Sequence, residues 1–385
     1  MKKSKERIYL SLAFVWFTTH FGGGFASGRQ VVEYFFGYGP VSILLPILSQ
    51  GILALVFYAA WKYAFDNKAF NYKVWTDKFF SPGEKIMSNV YELLYNTTLI
   101  TATAVAFATG GATMTTVFGT SYMLNTGLIA AALLLLTIFG AKFVRRTASV
   151  IAMAIVVGMF VIYVPNIIAG LPSIAANMAQ NNAVSTGGGS LMDAVMTTLK
   201  YAGFQAVVMG AYIAHSSAIT DERDIKKAAI AGFVLNSLML VMTVLGLLIF
   251  LNDGILTDSV PTLTVVTNGV GAAWMVPLVS ILIILGAVST GVNLIFGISN
   301  RIVLYISRDE SSEVASKKER PRSIVISSIY VLITWSIAQF GLIPLVARGY
   351  GTIGYISIFA LIIPIIVKFY IIERSKKSKL AQKPA

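Results

Sequence analysis

The chain has 385 residues, 56% of them apolar and only 12% charged, with a mean hydropathy of +0.75 and a net charge of +13. A soluble domain carries about twice that charged fraction. Cysteine is absent, which excludes disulfides, thiol catalysis and thiolate metal sites, and His20 and His215 cannot build a metal site by themselves.

The basic excess does not point to nucleic acid, because the basic residues sit in short gaps between apolar runs. Met1 to Arg7 is basic and apolar residues begin at Ile8, as in a signal peptide with Ala26-Ser27-Gly28 as its cleavage region. The apolar pattern continues past that point, so the segment is read as a first crossing. A helix needs roughly 20 residues to cross the hydrocarbon core. Spans are expected at 8–36, 41–64, 86–117, 124–140, 147–169, 190–217, 226–251, 272–304, 323–340 and 350–372. The last two are separated at Arg348-Gly349-Tyr350-Gly351. The expected fold is therefore an all-α membrane protein of about ten transmembrane helices.

Lysine and arginine set the orientation. With the N-terminus inside, the inner loops collect Lys2 to Arg7, the lysines of 62–85, Lys142, Arg145, Arg146, Arg223, Lys226, Lys227, the basic residues of 301–322 and those of the tail from Lys368. Of 30 basic residues, only Arg29, Lys200 and Arg348 fall in the membrane or outside. Both termini are expected in the cytoplasm. The 65–85 segment mixes aromatics with lysines and reads as an amphipathic helix on the inner surface. The outer 170–189 segment, rich in Asn, Ser and Gly, reads as a flexible loop. The outer 252–270 segment fits a lid hairpin and a simple connector equally.

Five spans precede the 170–189 loop and five follow it. Five is odd, so the second half stands inverted relative to the first. The expected organisation is one transmembrane domain over 1–385: repeat one 8–169, repeat two 190–372 and a cytoplasmic tail 373–385. The first span of each half is polar near its middle, and the third of each exceeds 30 residues. Inverted repeats with interrupted first helices are a design of secondary transporters.

Span 1 is broken over Thr18 to Gly28, where Gly22-Gly23-Gly24 each disfavour helix by about 1 kcal/mol relative to alanine. Unwound backbone at membrane depth is tolerated where it lines a cavity. Its carbonyls suit a cation and its N–H groups an anionic group; close packing through small residues is the competing explanation. Span 6 has a weaker break at Lys200-Tyr201-Ala202-Gly203-Phe204-Gln205. A lysine in midspan costs several kcal/mol unless paired or hydrated. Lys200 is expected either to pair with Glu33 or Glu92, or to meet a substrate carboxylate or a proton. Gly286 to Asn293 in span 8 carries Ser289 and Thr290, whose hydroxyls can serve a hard cation or simply bond their own helix. Tyr91 and Tyr95 share a face in span 3 beside Glu92, placed in the outer-to-middle part of the span. Arg29 and Glu33 share a face in span 1 as an ion pair or part of a gate. The candidate substrate residues are Gly22, Gly23, Gly24, Phe25, Tyr91, Tyr95, Lys200, Tyr201 and Phe204.

The run Gly22-Gly23-Gly24-Phe25-Ala26-Ser27-Gly28-Arg29-Gln30, followed by Glu33 and Phe36, resembles the start of the YkvI-like bacterial membrane proteins. That family is related to the amino acid–polyamine–organocation superfamily. The resemblance implies a leucine-transporter-type fold, an amino acid or similar small carboxylate as solute, and a bacterial inner-membrane location. Sodium-coupled members of that fold hold one Na⁺ between the first-helix break and a Ser/Thr pair on helix eight. The matching positions here are the carbonyls near His20, Phe21 and Gly23, the Gly286 carbonyl, and the Ser289 and Thr290 hydroxyls. Some proton-coupled relatives place a lysine in helix five; residues 147–169 contain none, which favours sodium, whereas Lys200 keeps protons open. The expected function is Na⁺-coupled import, with no cofactor beyond the coupling ion and with the lipid bilayer and a small solute as partners. The alternatives are H⁺ coupling with Arg29, Glu33 or Glu92 as gate or carrier, and a non-transporting sensor. A membrane-embedded enzyme ranks below these, since no nucleophile–base set is present.

Overall fold

The computed structural model describes residues 8–180 and 189–373, without the side chains of Gly23, 141–149, Ala179, Ala272, 372 and 373. The chain is an all-α membrane protein: among the described residues there is no strand, and eight helices are long and apolar enough to cross a bilayer. Two further segments fail that length test because they are interrupted, and they are the first of each half. Span 1 is α1 (Ile8–His20), α2 (Gly23–Ala26) and α3 (Arg29–Phe35); span 6 is α10 (Leu191–Val207) and α11 (Met209–His215).

The uninterrupted helices of the first half are α4 (Leu44–Asn67), α6 (Glu84–Phe118), α7 (Tyr122–Leu135) and α8 (Ala141–Ala169), with α5 (Tyr72–Phe80) between α4 and α6. A ten-residue helix, α9 (Leu171–Gln180), leads to the second half. That half continues with α12 (Glu222–Leu248), the short α13 (Pro261–Asn268), α14 (Ala272–Ile306), α15 (Ser312–Ala338) and a last crossing, Leu342–Ile371. The third helices of the two halves, α6 and α14, have the same length of 35 residues. Packing is mirrored between the halves. Second helix meets second helix (α4 with α12), third meets third (α6 with α14), and each first helix packs on the other half's second (α1 on α12, α10 on α4).

Four expectations need correction. The 170–189 segment begins as helix α9, held by Asn177 donating to the Leu248 carbonyl at 2.8 Å; residues 181–188 of that segment lie outside the described residues. The last two crossings part at Gln339–Gly341, where Gly341 has φ 90°, and not at Arg348–Gly351, which continues the final helix. Two adjacent glycine-bearing stretches competed for one turn, and only Gly341 adopts the left-handed dihedral that a turn after α15 requires. Span 9 begins eleven residues earlier than hydropathy indicated, because its basic first turns are helical although they are not apolar. Helix α5 does not merely rest on a surface. Trp75 and Phe79 are fully buried, and the Trp75 indole donates to the Ala60 carbonyl at 3.0 Å. The terminal residues counted for orientation, Lys2 to Arg7 and Arg374 to Lys383, lie outside the described residues, as do the side chains of Lys142, Arg145 and Arg146.

Candidate transport site at the helix breaks

Helix α1 ends at His20, and the turn that follows uses the Gly22 carbonyl, which accepts from the Phe25 and Ala26 N–H groups at 3.0 and 3.2 Å. Among these turn bonds none goes to the carbonyls of His20 or Phe21. A second turn at Ser27–Gly28 separates α2 from α3. There the Ser27 carbonyl accepts from Thr262 N–H of α13 at 3.0 Å, and Gly28 has φ 80°. The 252–270 segment is therefore docked on the broken helix through Thr262. Arg29 strengthens that docking. It is 2% exposed, donates to the Leu256 and Asp258 carbonyls at 2.6 and 3.3 Å, and pairs with Glu33 at 2.9 Å.

Span 6 is not broken where its glycine stands. Helix α10 runs unbroken through Lys200 to Gln205 and ends at Val207, and Val208 leaves helical geometry at φ −75°, ψ 2°. Gly203 is instead a contact point: a Cβ there would overlap the backbone of Gly354, and a Cβ on Gly354 would overlap the Lys200 carbonyl. Small residues let the two helix backbones approach. The true break is held by Tyr91, whose hydroxyl donates to the Val207 carbonyl at 2.8 Å and accepts from Gly210 N–H at 2.9 Å.

Tyr91 also connects this break to the basic end of the bundle. Its ring lies 6.1 Å from Tyr72 of α5 and 6.0 Å from Tyr95. Tyr72 donates to Glu92 at 2.7 Å, and Arg301 from the end of α14 donates to both Tyr72 and Glu92. Arg301 also stands over the Tyr72 and Tyr95 rings at 5.2 and 5.7 Å. Burial, followed by the hydrogen bond to Glu92, pushes the Tyr72 phenol above its usual range, so it stays a donor at physiological pH. Glu92 therefore belongs to the end that carries α5 and Arg301, not to the outer-to-middle part of span 3. Arg301 was legible in the sequence only as one inner charge among many.

Two adjoining cavities share Thr19, Thr290 and Leu294 in their walls. The larger, about 210 Å³, lies between α1, α8 and α14 and is lined by Thr18, Thr19, Phe21, Gly286, Ser289, Thr290 and Asn293 with three α8 residues. Thr19 and Asn293 are exposed in it. The Thr290 hydroxyl sits against Gly22, at 2.8 Å from where a Cβ would stand. Thr98, Thr103, Thr113, Thr137, Thr198 and Thr243 each donate to the carbonyl one turn back. Ser289 and Thr290 do not, and neither hydroxyl has a partner among the described residues.

The smaller cavity, about 90 Å³, lies between both breaks and α6. Gly22, Gly24, Phe25 and Phe204 line it, with His20, Gln30, Thr98, Gln205, Val208 and Tyr350. Phe204 and Tyr350 stack at 4.5 Å and close one wall. Tyr91, Tyr95, Lys200 and Tyr201 line neither cavity. Tyr201 stands behind Phe204 with its ring 4.9 Å from Phe35. Lys200 is half-buried and has no ion pair among the described residues: Glu33 is taken by Arg29 and Glu92 by Arg301. The side chains of His20 and Gln30 were missed as cavity groups. The signal for His20 was its spacing of four from Trp16 on one helical face.

No family model matches the chain, and no curated protein matches its sequence. Among solved structures the chain is similar over its whole length to a manganese transporter of Eremococcus coleocola crystallised with an aromatic bis-isothiourea compound. The match has 14% identity, a TM-score of 0.45 and 91% of that chain covered. Two variants of the same transporter match at a TM-score of 0.41 and 14% identity, again over 91% of their length. In the present chain no group of three or more His, Asp or Glu side chains is placed to hold a metal, among the described residues.

Proposed function

We propose that the chain is a secondary transporter of the bacterial inner membrane, with cytoplasmic termini, that imports a small amino acid or similar carboxylate together with Na⁺. The observation that carries this reading is the Ser289–Thr290 pair. Two neighbouring hydroxyls forgo the helix bond that other threonines make, and Thr290 lies against the first-span break. Neutral oxygen ligands of this kind suit a hard cation of low charge. The carbonyls of His20, Phe21, Gly23 and Gly286 complete the proposed set. Because the two cavities share Thr19 and Thr290, a cation in one orders the wall of the other, and each ligand tightens binding of its partner by the same factor.

Alternating access would use the two contacts already described: the 252–270 segment as a lid on Ser27 and Arg29 at one end, and the Tyr72–Glu92–Arg301 cluster at the other. Against the proton-coupled alternative stands the pairing of Glu33 and Glu92 each with an arginine, and the position of Lys200 outside both cavities. A resemblance to the YkvI-like proteins agrees with this reading. A thermal-stability screen of amino acids in sodium or in choline chloride tests it. Stabilisation by a small amino acid in sodium alone supports the proposal, whereas equal stabilisation in both salts removes the ion from the mechanism.

A further inference from the structure

The smaller cavity contains two buried polar groups that nothing in the protein satisfies. His20 is 3% exposed and its Nε2 has no partner; Gln30 is 4% exposed and its Oε1 has none. Both residues line the same cavity. Buried polar atoms are ordinarily paired, so an orphan on a residue of a cavity wall marks where a ligand atom can be met.

The His20 proton can be assigned. The Trp16 indole, which can only donate, gives its hydrogen bond to His20 Nδ1 at 3.1 Å. Nδ1 is therefore the acceptor and the neutral ring carries its proton on Nε2. The Trp16, Phe57 and Tyr212 rings, with centroids 5.9, 6.1 and 6.4 Å away, hold the imidazole plane. The site thus offers a fixed N–H donor from His20 and a carboxamide acceptor from Gln30. No Asp, Glu, Lys or Arg lines the cavity, so its own side chains give a solute of net charge no counter-charge, whereas a zwitterion carries both charges itself. A water needs about 15 Å³ by the measure that gives this cavity about 90 Å³, so the space holds roughly six heavy atoms.

We propose that His20 and Gln30 are the recognition pair for a small zwitterion, a 2-amino acid with a side chain no larger than methyl. Its carboxylate accepts from His20 Nε2–H and its ammonium donates to Gln30 Oε1. This rests on the transporter reading above and adds the solute's charge, size and contacts. Lys200, the cation expected from the sequence to meet a carboxylate, has no part in it.

The test is calorimetric binding of alanine, leucine, propionate and propylammonium to the purified full chain in sodium. Alanine binds, and the other three bind at least tenfold more weakly. His20→Leu loses about tenfold to a hundredfold in alanine affinity, the value of a hydrogen bond to a charged group. His20→Gln, which restores a donor, recovers part of the loss, and matching thermal unfolding of the variants shows that the fold is kept. Propionate or leucine binding as well as alanine overturns the inference, as does His20→Leu binding alanine like wild type. The transporter reading fails separately, if reconstituted wild type that binds alanine does not move it across a membrane.

Discussion

Replacing Tyr91 by Phe removes one oxygen from the structure and leaves two backbone groups without partners. The hydroxyl bridges Val207 O and Gly210 N–H across the break between α10 and α11, and Tyr91 is 1% exposed. An unsatisfied buried group costs about 1–3 kcal/mol. Two such groups, each in the lower part of that range, give a net loss of roughly 2–4 kcal/mol. The loss falls on α11, whose seven residues depend on this bond and on Trp61 donating to the Tyr212 carbonyl at 3.3 Å. Amide exchange over Met209–His215 should therefore accelerate roughly 30- to 1,000-fold, while exchange in α4 and α12 stays unchanged. Tyr95→Phe is the control, because the Tyr95 hydroxyl has no partner among the described residues although its ring stacks on Tyr91. Exchange in Tyr91→Phe within threefold of wild type would refute the idea that this phenol holds the break.

Gly203→Ala should destabilise the protein by about 1–3 kcal/mol or more, because its Cβ overlaps the Gly354 backbone. Gly297→Ala in α14, where a Cβ meets nothing within 4 Å, should melt at or slightly above wild type. Arg322 of α15 holds the carboxyl of Glu310, in the loop before that helix, down to about 2, by hydrogen bonds at 2.6 and 2.7 Å with Lys318 adding a weaker attraction. A lowered carboxylate contributes above its unfolded value and loses that contribution as pH falls through its folded value. A carbon-13 carboxyl titration of Glu310 should thus show no protonation until pH approaches 2, and Arg322→Ala should return the midpoint to the ordinary range above 4.

What could be read from the sequence was set by hydropathy and by runs of glycine. The apolar helices and the first-span break at Gly22–Gly24 are local patterns, and the structure places helix ends at that break. The second break was misplaced because Val208 has no compositional mark, whereas Gly203 does and serves helix packing instead. The last turn was misplaced for a related reason: Gly349 and Gly351 resemble a turn, but the backbone turns at Gly341. Residues whose role depends on distant partners stayed invisible. Tyr91 meets Val207 across 116 positions and Arg301 meets Glu92 across 209. Lys200 drew attention as a lone midspan charge, yet the cavity is lined by neutral groups that carry no such signal.

The central claim is that Ser289 and Thr290 bind the coupling sodium beside the first-span break. Uptake of labelled alanine into proteoliposomes, driven separately by an inward sodium gradient and by an inward proton gradient, tests it most directly. The account predicts that wild type accumulates alanine with sodium alone. It also predicts that Ser289→Ala with Thr290→Val, which removes both hydroxyls at nearly constant volume, abolishes that accumulation while folding normally. Uptake that follows the proton gradient and ignores sodium, or a double variant that still responds to sodium like wild type, would contradict it.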